Sequence, residues 1–483
     1  MILAAMVSPS CFAGETSQAV KIRVADNPGE KELEPLFVGL SYESSTLLPR
    51  SGRYYFDADD AALVQTFRTL GVKSLRLGGN SVDDNRVGVP QENDIDSLFR
   101  FARAAGVKVI YSFRLQDGNP AESARLAGYI ASHYADALDC FSIGNEPDLY
   151  KPKISYEQYL AMWKPHYEAI LKVVPNAQFD GPCTDGNIRG DFPLYLARDI
   201  APGGHLAMVS DHRYFFGIGR SAETNVPLTQ ARFLAVTNHN IYASHYARFP
   251  EKLAAAGVPY RMDEMNNCGH GGAKDVSDSY AATLWELDCT HWWANHHILG
   301  MNYHTGESVF RDTGYGPVNY STFVHTEDGS GFTMRPPAYA LLAFSQGAHG
   351  RPLQVAVESA PEIGLSAYAY KDDDGSVYLT LINLTYGDHA HAADVNIHLP
   401  HDSATGVWQR INLQQENGNI GAKSGITLGE GNINHQGKWS GKWITFASGN
   451  ATNVVAVVAP SSAAILRFTP ESKVAQNAFQ KSN

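Results

Sequence analysis

Between residues 37 and 348, short apolar runs alternate with helically periodic stretches eight times over, and no other feature of the chain restricts its fold so far. The apolar runs are FVGLSYE, KSLRLGG, KVIYSFR, CFSIGNE, QFDGPCT, MVSDHRYF, YRMDEMN and LGMNYHT. Each has the length and composition of a strand buried on both faces. Between them lie stretches such as IDSLFRFARAAG and AESARLAGYIASHY, with apolar residues at three- and four-residue spacing. The longest of these, ARFLAVTNHNIYASHYARFPEKLAAAG, reads as one helical unit, and AYALLAFSQGA closes the series. Eight such pairs predict a (β/α)₈ barrel, an α/β TIM barrel, over 34–348. A doubly wound sheet produces the same alternation with fewer units, and no GxGxxG follows the first strand.

After residue 349 the texture changes to alternating segments broken by Gly, Asn, Asp and Pro: LQVAVES, IGLSAYAYKD, GSVYLTLINLT, AADVNIHLP, GKWITFAS, TNVVAVVAP and SAAILRFTP. They predict a C-terminal antiparallel β-sandwich domain over 349–483. AVKIRVAD is also strand-like, and the segment 19–33 is expected to join that domain. Residues 1–18, with an apolar opening and a small-residue FAG step, resemble the end of a secretory signal without its basic start. The expected location is therefore secreted or periplasmic, the alternative being an unstructured tail.

A net charge of −12 and the absence of any dense Lys/Arg tract argue against a nucleic-acid partner. No apolar run approaches the roughly 20 residues needed to span a bilayer. Five cysteines, scattered from Cys11 through Cys140, Cys183 and Cys268 to Cys289, form neither a disulfide framework nor a zinc ribbon, though one bridge stays open. The oligomeric state is not legible.

The stretch FSIGNEPDLY carries an apolar strand directly into Asn145, Glu146 and a proline. Glu146 is either a loop carboxylate paired with Lys151 or Lys153, or a carboxylate held at the mouth of the barrel. A second glutamate, Glu264 in YRMDEMNNCGHGG, decides between them. The two fall at the C-terminal ends of the fourth and seventh strands, the end where barrels of this kind carry their chemistry. Two carboxylates facing one bond about 5–5.5 Å apart are what glycoside hydrolysis with retention requires.

These motifs resemble glycoside hydrolase family 79, the family of β-glucuronidases and heparanases, most closely a bacterial heparanase. The resemblance rests on FVGLSYE, LRLGGNSVD, IGNEPDLY, DEMNNCGHGG with VSDSYAATLW, and RPPAYALLAFSQ, in order along the whole barrel and more weakly beyond it. It implies Glu146 as general acid/base and Glu264 as nucleophile, with Tyr214 supporting the nucleophile and no cofactor or metal. It further implies that Asn145 meets the sugar 2-OH, that Glu43 and Asp83 grip hydroxyls (Asp84 competing with Asp83), and that His212 supports the site. Members often carry a Tyr five residues after the nucleophile to read the uronate carboxylate; Gly269 stands there, leaving backbone amides of Gly269 and Gly271, His270 or Tyr315 for that task.

Only residues 81–94 precede the second helix, too few for the wall that closes one end of the sugar site in exo-acting relatives. An open cleft that cuts inside a glycosaminoglycan such as heparan sulfate follows, with Lys151, Lys153, Arg213 and Lys274 as candidate contacts to sulfates or carboxylates. The alternative is an exo-acting β-glucuronidase on a glucuronide. Two further readings compete: a metal held by His291, His296 and His297 in HWWANHH, which lacks an HExxH or carboxylate-rich spacing, and a sugar-binding barrel without catalysis. No GxSxG elbow supports a serine nucleophile.

Overall fold

A computed structural model describes residues 18–29, 31–186, 190–307, 318–358, 363–399, 405–450 and 453–471. Tyr315, Cys11 and the segment read as a signal remnant up to residue 17 lie outside them. After an initial strand β1 (Gln18–Val24), eight parallel strands close into a barrel: β2 (Val38–Glu43), β3 (Ser74–Gly78), β4 (Lys108–Phe113), β5 (Leu138–Ile143), β6 (Phe179–Asp185), β7 (Leu206–Tyr214), β8 (Tyr260–Asn266) and β9 (Gly300–His304). Closure is made by β9 against β2, with Val38 opposite Met301 and Ser41 opposite His304. These strands are buried along their whole length because helices cover the barrel outside while side chains fill it inside.

The long helical stretch after β7 is not one unit. It divides into Val226–Phe233, Asn238–Arg248 and Pro250–Ala255. Pro250 can continue no helix from behind it and starts the third instead. The helix Tyr280–Ala294 is buried along all fifteen residues, because one side meets the barrel and the other meets the C-terminal domain, with Tyr280 N–H donating to Ala422 O at 2.8 Å and His291 Nδ1 2.9 Å from the Tyr370 hydroxyl. The histidine metal reading fails on geometry: among the described residues, His291, His296 and His297 belong to no group of three closely placed ligating atoms, and His296 stacks on Trp292 with its Nδ1 on the Trp292 carbonyl.

Beyond the barrel, two sheets enclose a second core that includes Val20, Ile22, Leu379, Trp408 and Phe468. The four-stranded sheet has the order Val355–Glu358, β1, Ala393–His398, Asn453–Val458, and β1 runs parallel to Ala393–His398, so this sheet is not wholly antiparallel. The other sheet is antiparallel and is built around a strand that sequence patterning passes over, Thr405–Gln415. A register shift between Trp408 and Gln409 puts Trp408, Ile411 and Leu413 on the core, so the apolar alternation skips a step. Cys140, Cys183, Cys268 and Cys289 are buried free thiols, and no described helix is long and apolar enough to cross a membrane.

Candidate active site

The local backbone explains why a buried strand ends in a carboxylate. Gly144 turns the chain after β5 at φ 85°, and Glu146 follows at φ 42°, ψ 54°, in the left-handed region. That conformation is costly for a side-chain-bearing residue, and more so before a proline, which disfavours helical backbone in its predecessor. It persists because Glu146 N–H donates to Cys183 O at 2.8 Å and Asn145 N–H donates to Asp83 Oδ2 at 2.8 Å. Strain held by neighbouring structure in this way is typical of functional corners. The turn leaves the Glu146 side chain at the barrel mouth, with His212 Nδ1 2.9 Å from its Oε1.

Glu264 lies deeper. Its Oε2 accepts from Arg76 Nη1 at 2.6 Å and its Oε1 from the Tyr214 hydroxyl at 2.7 Å. His304 Nδ1 stands 3.6 Å from Oε2 and His212 Nδ1 4.0 Å. The register of β8 shifts between Met262 and Met265. This irregularity lets two consecutive residues, Asp263 and Glu264, both face the interior, where an ordinary strand would send them to opposite sides. Asp263 is fully buried, 3.3 Å from Arg76 Nε and 3.6 Å from His212 Nε2. Arg76 therefore spans the site from below, and its Nη2 also donates to Asn145 Oδ1 at 2.8 Å.

One oxygen of Glu146, one nitrogen of His212 and one oxygen of Glu264 all lie within 4.8 Å of one another. The two carboxylates titrate in opposite directions. Burial pushes Glu146 up, against the pull of His212 and with the charge of Glu264 adding to the rise. Glu264 is held well below the usual carboxylate range: burial works against its charge, but His304, His212, Arg76 and the Tyr214 hydroxyl outweigh it. His212 is raised well above an ordinary histidine, burial opposing the charge and Glu264, Asp263 and Glu146 overcoming it. One carboxyl is shifted toward its neutral form and the other toward its ionised form, the direction that acid-assisted displacement needs.

The remaining expected residues divide. Glu43, at the end of β2, turns one oxygen to Ser81 N–H at 2.8 Å and the other toward His304 Nε2 at 3.9 Å, so it borders the same space as Glu264. Asp83 does not. Its Oδ1 accepts from Leu115 and Gln116 N–H, and its Oδ2 from Asn145 N–H and the Tyr150 hydroxyl. With both oxygens doubly occupied, it braces three loops and has no lone pair left for a sugar; Asp84 is paired with Arg86 instead. Gly269 cannot give its N–H to a uronate, because Gly217 O takes it at 2.8 Å. His270, exposed at φ 55°, and Gly271, buried at φ 82°, form the turn beyond it, and Tyr315 is outside the described residues.

Arg213 also leaves the site. It alternates outward between His212 and Tyr214, packs over Phe215, and donates to Gly186 O at 3.1 Å in a pocket shared with Arg248. Lys151 lines the groove beside Glu146, whereas Lys153 and Lys274 are exposed on loops, Lys274 N–H donating to Glu223. Arg76, Asp263 and His304 were missed in the sequence. A lone arginine inside the apolar run KSLRLGG is the one signal that pointed to any of them, since a buried guanidinium demands anionic partners. Cys183, His212 and Asp263 approach one another closely enough to bind a cation, but the Arg76 guanidinium touches two of the three, and a metal ion would face a fixed positive charge there.

No family model matches this chain, and no curated protein matches it in sequence. Solved structures do match. A GH51 arabinofuranosidase from Xanthomonas axonopodis pv. citri is similar with TM-score 0.66 at 15% identity, over 93% of this chain and 100% of the other. A 4-O-α-L-rhamnosyl-β-D-glucuronidase from Fusarium oxysporum 12S is similar with TM-score 0.66 at 16% identity, over 92% and 99%. CelM2, a bifunctional glucanase-xylanase from a metagenome library, is similar with TM-score 0.62 at 13% identity, over 94% and 100%. The fold is that of barrel glycosidases with an attached β-sandwich. At these identities the likeness defines the fold alone, and family 79 stays a reading of the motifs.

Proposed function

We propose that this chain is a retaining β-glycosidase, with Glu146 as general acid/base and Glu264 as nucleophile. The observation that carries the reading is the pair itself: carboxylate oxygens within 4.8 Å, with burial shifting Glu146 toward its protonated form and the surrounding cations shifting Glu264 toward its ionised form. That spacing fits direct attack on the anomeric carbon and leaves no room for the water an inverting enzyme places between its carboxylates. Glu264 Oε2 attacks the anomeric carbon while Glu146 gives its proton to the departing oxygen. Glu146, now ionised, takes a proton from water as water displaces Glu264, and the starting state returns. Tyr214 and Arg76 orient the nucleophile, and Asn145, fixed by Arg76, offers its remaining amide hydrogen toward the 2-OH.

The proposed substrate is a β-D-glucuronoside linkage within a glycosaminoglycan chain, cut internally by an exported protein. Support comes from the family 79 motifs and from the short segment 81–94, which leaves the cleft unwalled. The uronate carboxylate would be read by the turn at His270 and Gly271. Heparan sulfate and a nitrophenyl β-glucuronide digested side by side test this. Internal cutting lowers polymer mass early, with little free glucuronate. Steady release of glucuronate at nearly constant polymer size replaces it with an exo-β-glucuronidase. No turnover of either, with hydrolysis of another aryl glycoside, retains the mechanism and overturns the sugar.

A further inference from the structure

Glu146 owes its place at the barrel mouth to the turn 145–150, and both ends of that turn converge on one atom. Asp83 Oδ2 accepts from Asn145 N–H at 2.8 Å and from the Tyr150 hydroxyl. Within the turn, Leu149 N–H donates to Glu146 O at 2.9 Å and Tyr150 N–H to Pro147 O at 3.3 Å. The other oxygen of Asp83 accepts from Leu115 N–H at 2.7 Å and Gln116 N–H at 3.0 Å, in the loop after β4. One half-buried carboxylate thus joins the loops after β3, β4 and β5. It also borders the open groove beside Glu146, so contact with a sugar is the role that competes with this one.

The clasp is itself fixed. Arg114 donates through Nε to Val82 O at 2.8 Å, and through Nη2 to Asp84 O at 2.8 Å and Val87 O at 2.7 Å. The carbonyls on either side of Asp83 are therefore tethered, and its carboxylate is anchored independently of the turn it holds. The turn needs holding. Glu146 takes φ 42°, ψ 54° directly before a proline, a combination that persists only where the surrounding structure imposes it. Glu146 N–H is tied to Cys183 O, a main-chain carbonyl, and Asp148 Oδ1 ties the middle of the turn to Asp185 N–H at 3.1 Å. Asp83 is the side chain that secures the two ends.

We propose that Asp83 is the positioning residue of the acid/base: it keeps the turn 145–150 closed, and so keeps the Glu146 carboxyl at the leaving oxygen, instead of gripping a sugar hydroxyl. The inference rests on the glycosidase reading above. The two roles separate on leaving groups, because kcat/KM reports the first displacement and only a poor leaving group needs the proton of Glu146 there. The test compares Asp83→Ala with the parent on aryl β-glycosides of the sugar it hydrolyses, from dinitrophenyl to phenyl. Asp83→Ala should lower kcat/KM on the phenyl glycoside about 100-fold, the scale of a catalytic group displaced by about 1 Å. On the dinitrophenyl glycoside the loss should stay below about threefold. Tyr150→Phe, which removes one tie and leaves Asn145 held, should show the same order with smaller losses. In a Glu146→Gln background, Asp83→Ala should cost less than about threefold on either substrate, because the acid it places is already gone. A thermal melt accompanies each variant, and if Asp83→Ala does not fold, the leaving-group dependence of Tyr150→Phe decides. A loss equal across leaving groups and undiminished in the Glu146→Gln background marks a sugar contact or a general loosening and overturns the proposal, as does a near-native profile for folded Asp83→Ala. A parent enzyme that hydrolyses no aryl glycoside overturns the glycosidase reading and this inference with it.

Discussion

Replacing His212 by Asn should move the alkaline limb of activity upward. His212 sits 2.9 Å from Glu146 through Nδ1, fully buried and held in its charged form by three carboxylates. The amide nitrogen of Asn occupies the place of Nδ1, so a hydrogen bond to Glu146 survives while the charge is lost. A hydrogen bond to a charged partner contributes about 1.5–3 kcal/mol and a neutral one about 0.5–1.5, a difference of about 1–1.5 kcal/mol. At 1.36 kcal/mol per unit this corresponds to about one pH unit. The sign follows from the role of Glu146: it must be protonated to act, and a cation beside it favours the ionised form. Removing that cation raises its pKa, and activity persists to higher pH. The assay is kcat/KM on a nitrophenyl β-glucuronide from acid to mildly alkaline pH, with apparent values belonging to the coupled pair. Asp263 loses one of its two cationic neighbours in this variant, so a thermal melt accompanies the profile. A limb that stays in place or moves to lower pH, in a folded variant, refutes the assignment of His212 as the charge that restrains Glu146.

Glu264→Gln should lose turnover on every substrate, and Glu146→Gln should keep partial activity on aryl glucuronides with good leaving groups, with azide restoring rate by forming a β-glycosyl azide; near-native rates for Glu264→Gln would contradict the mechanism. Arg76→Met should destabilise the fold by about 3–5 kcal/mol, because it strands the buried carboxylates of Asp263 and Glu264; a denaturant melt reads it, and an unchanged midpoint would count against the pairing. Glu286→Met should stabilise by about 1–3 kcal/mol, since both Glu286 oxygens are buried without a hydrogen-bond partner. Burial raises the folded Glu286 pKa, so the native protein loses stability as pH rises from the unfolded carboxyl value of about 4.3 toward the folded one. The gain of Glu286→Met should accordingly grow over that window, and a gain that is flat with pH would refute a neutral carboxyl there.

The barrel was legible because its strands are buried on both faces. KVIYSF and CFSI are unbroken apolar runs, and Gly or a charged residue ends them where the chain leaves the core. The C-terminal domain was legible as a texture but not strand by strand. Thr405–Gln415 reads as polar, since its core-facing residues are Trp408, Ile411 and Leu413 and the bulge between the first two breaks the period of two. The division of the helical stretch at Pro250 was available from the proline alone, and following periodicity across it was the error. Glu146 and Glu264 were readable by position at strand ends; Asp263 was not, because adjacent residues in a strand normally face opposite ways and only the irregularity in β8 brings both inward.

What separates the two glutamates chemically is depth, and depth follows from where each strand ends. Glu264 is still within β8, so its carboxylate stays among the side chains that fill the barrel, and one of these is Arg76, at the centre of β3. An arginine at that level could not remain without anions, and Asp263 and Glu264 supply them from β8 across the barrel interior. Glu146 is three residues past the end of β5, on a turn that lifts it out of reach of Arg76, and the titratable cation it touches is His212. The same interior charge that favours ionised Glu264 thus leaves Glu146 to its desolvation, which shifts the outer of the two toward its protonated form. Roles that no local sequence around either glutamate encodes are assigned by a third residue, in a strand whose pattern gives its arginine no evident purpose.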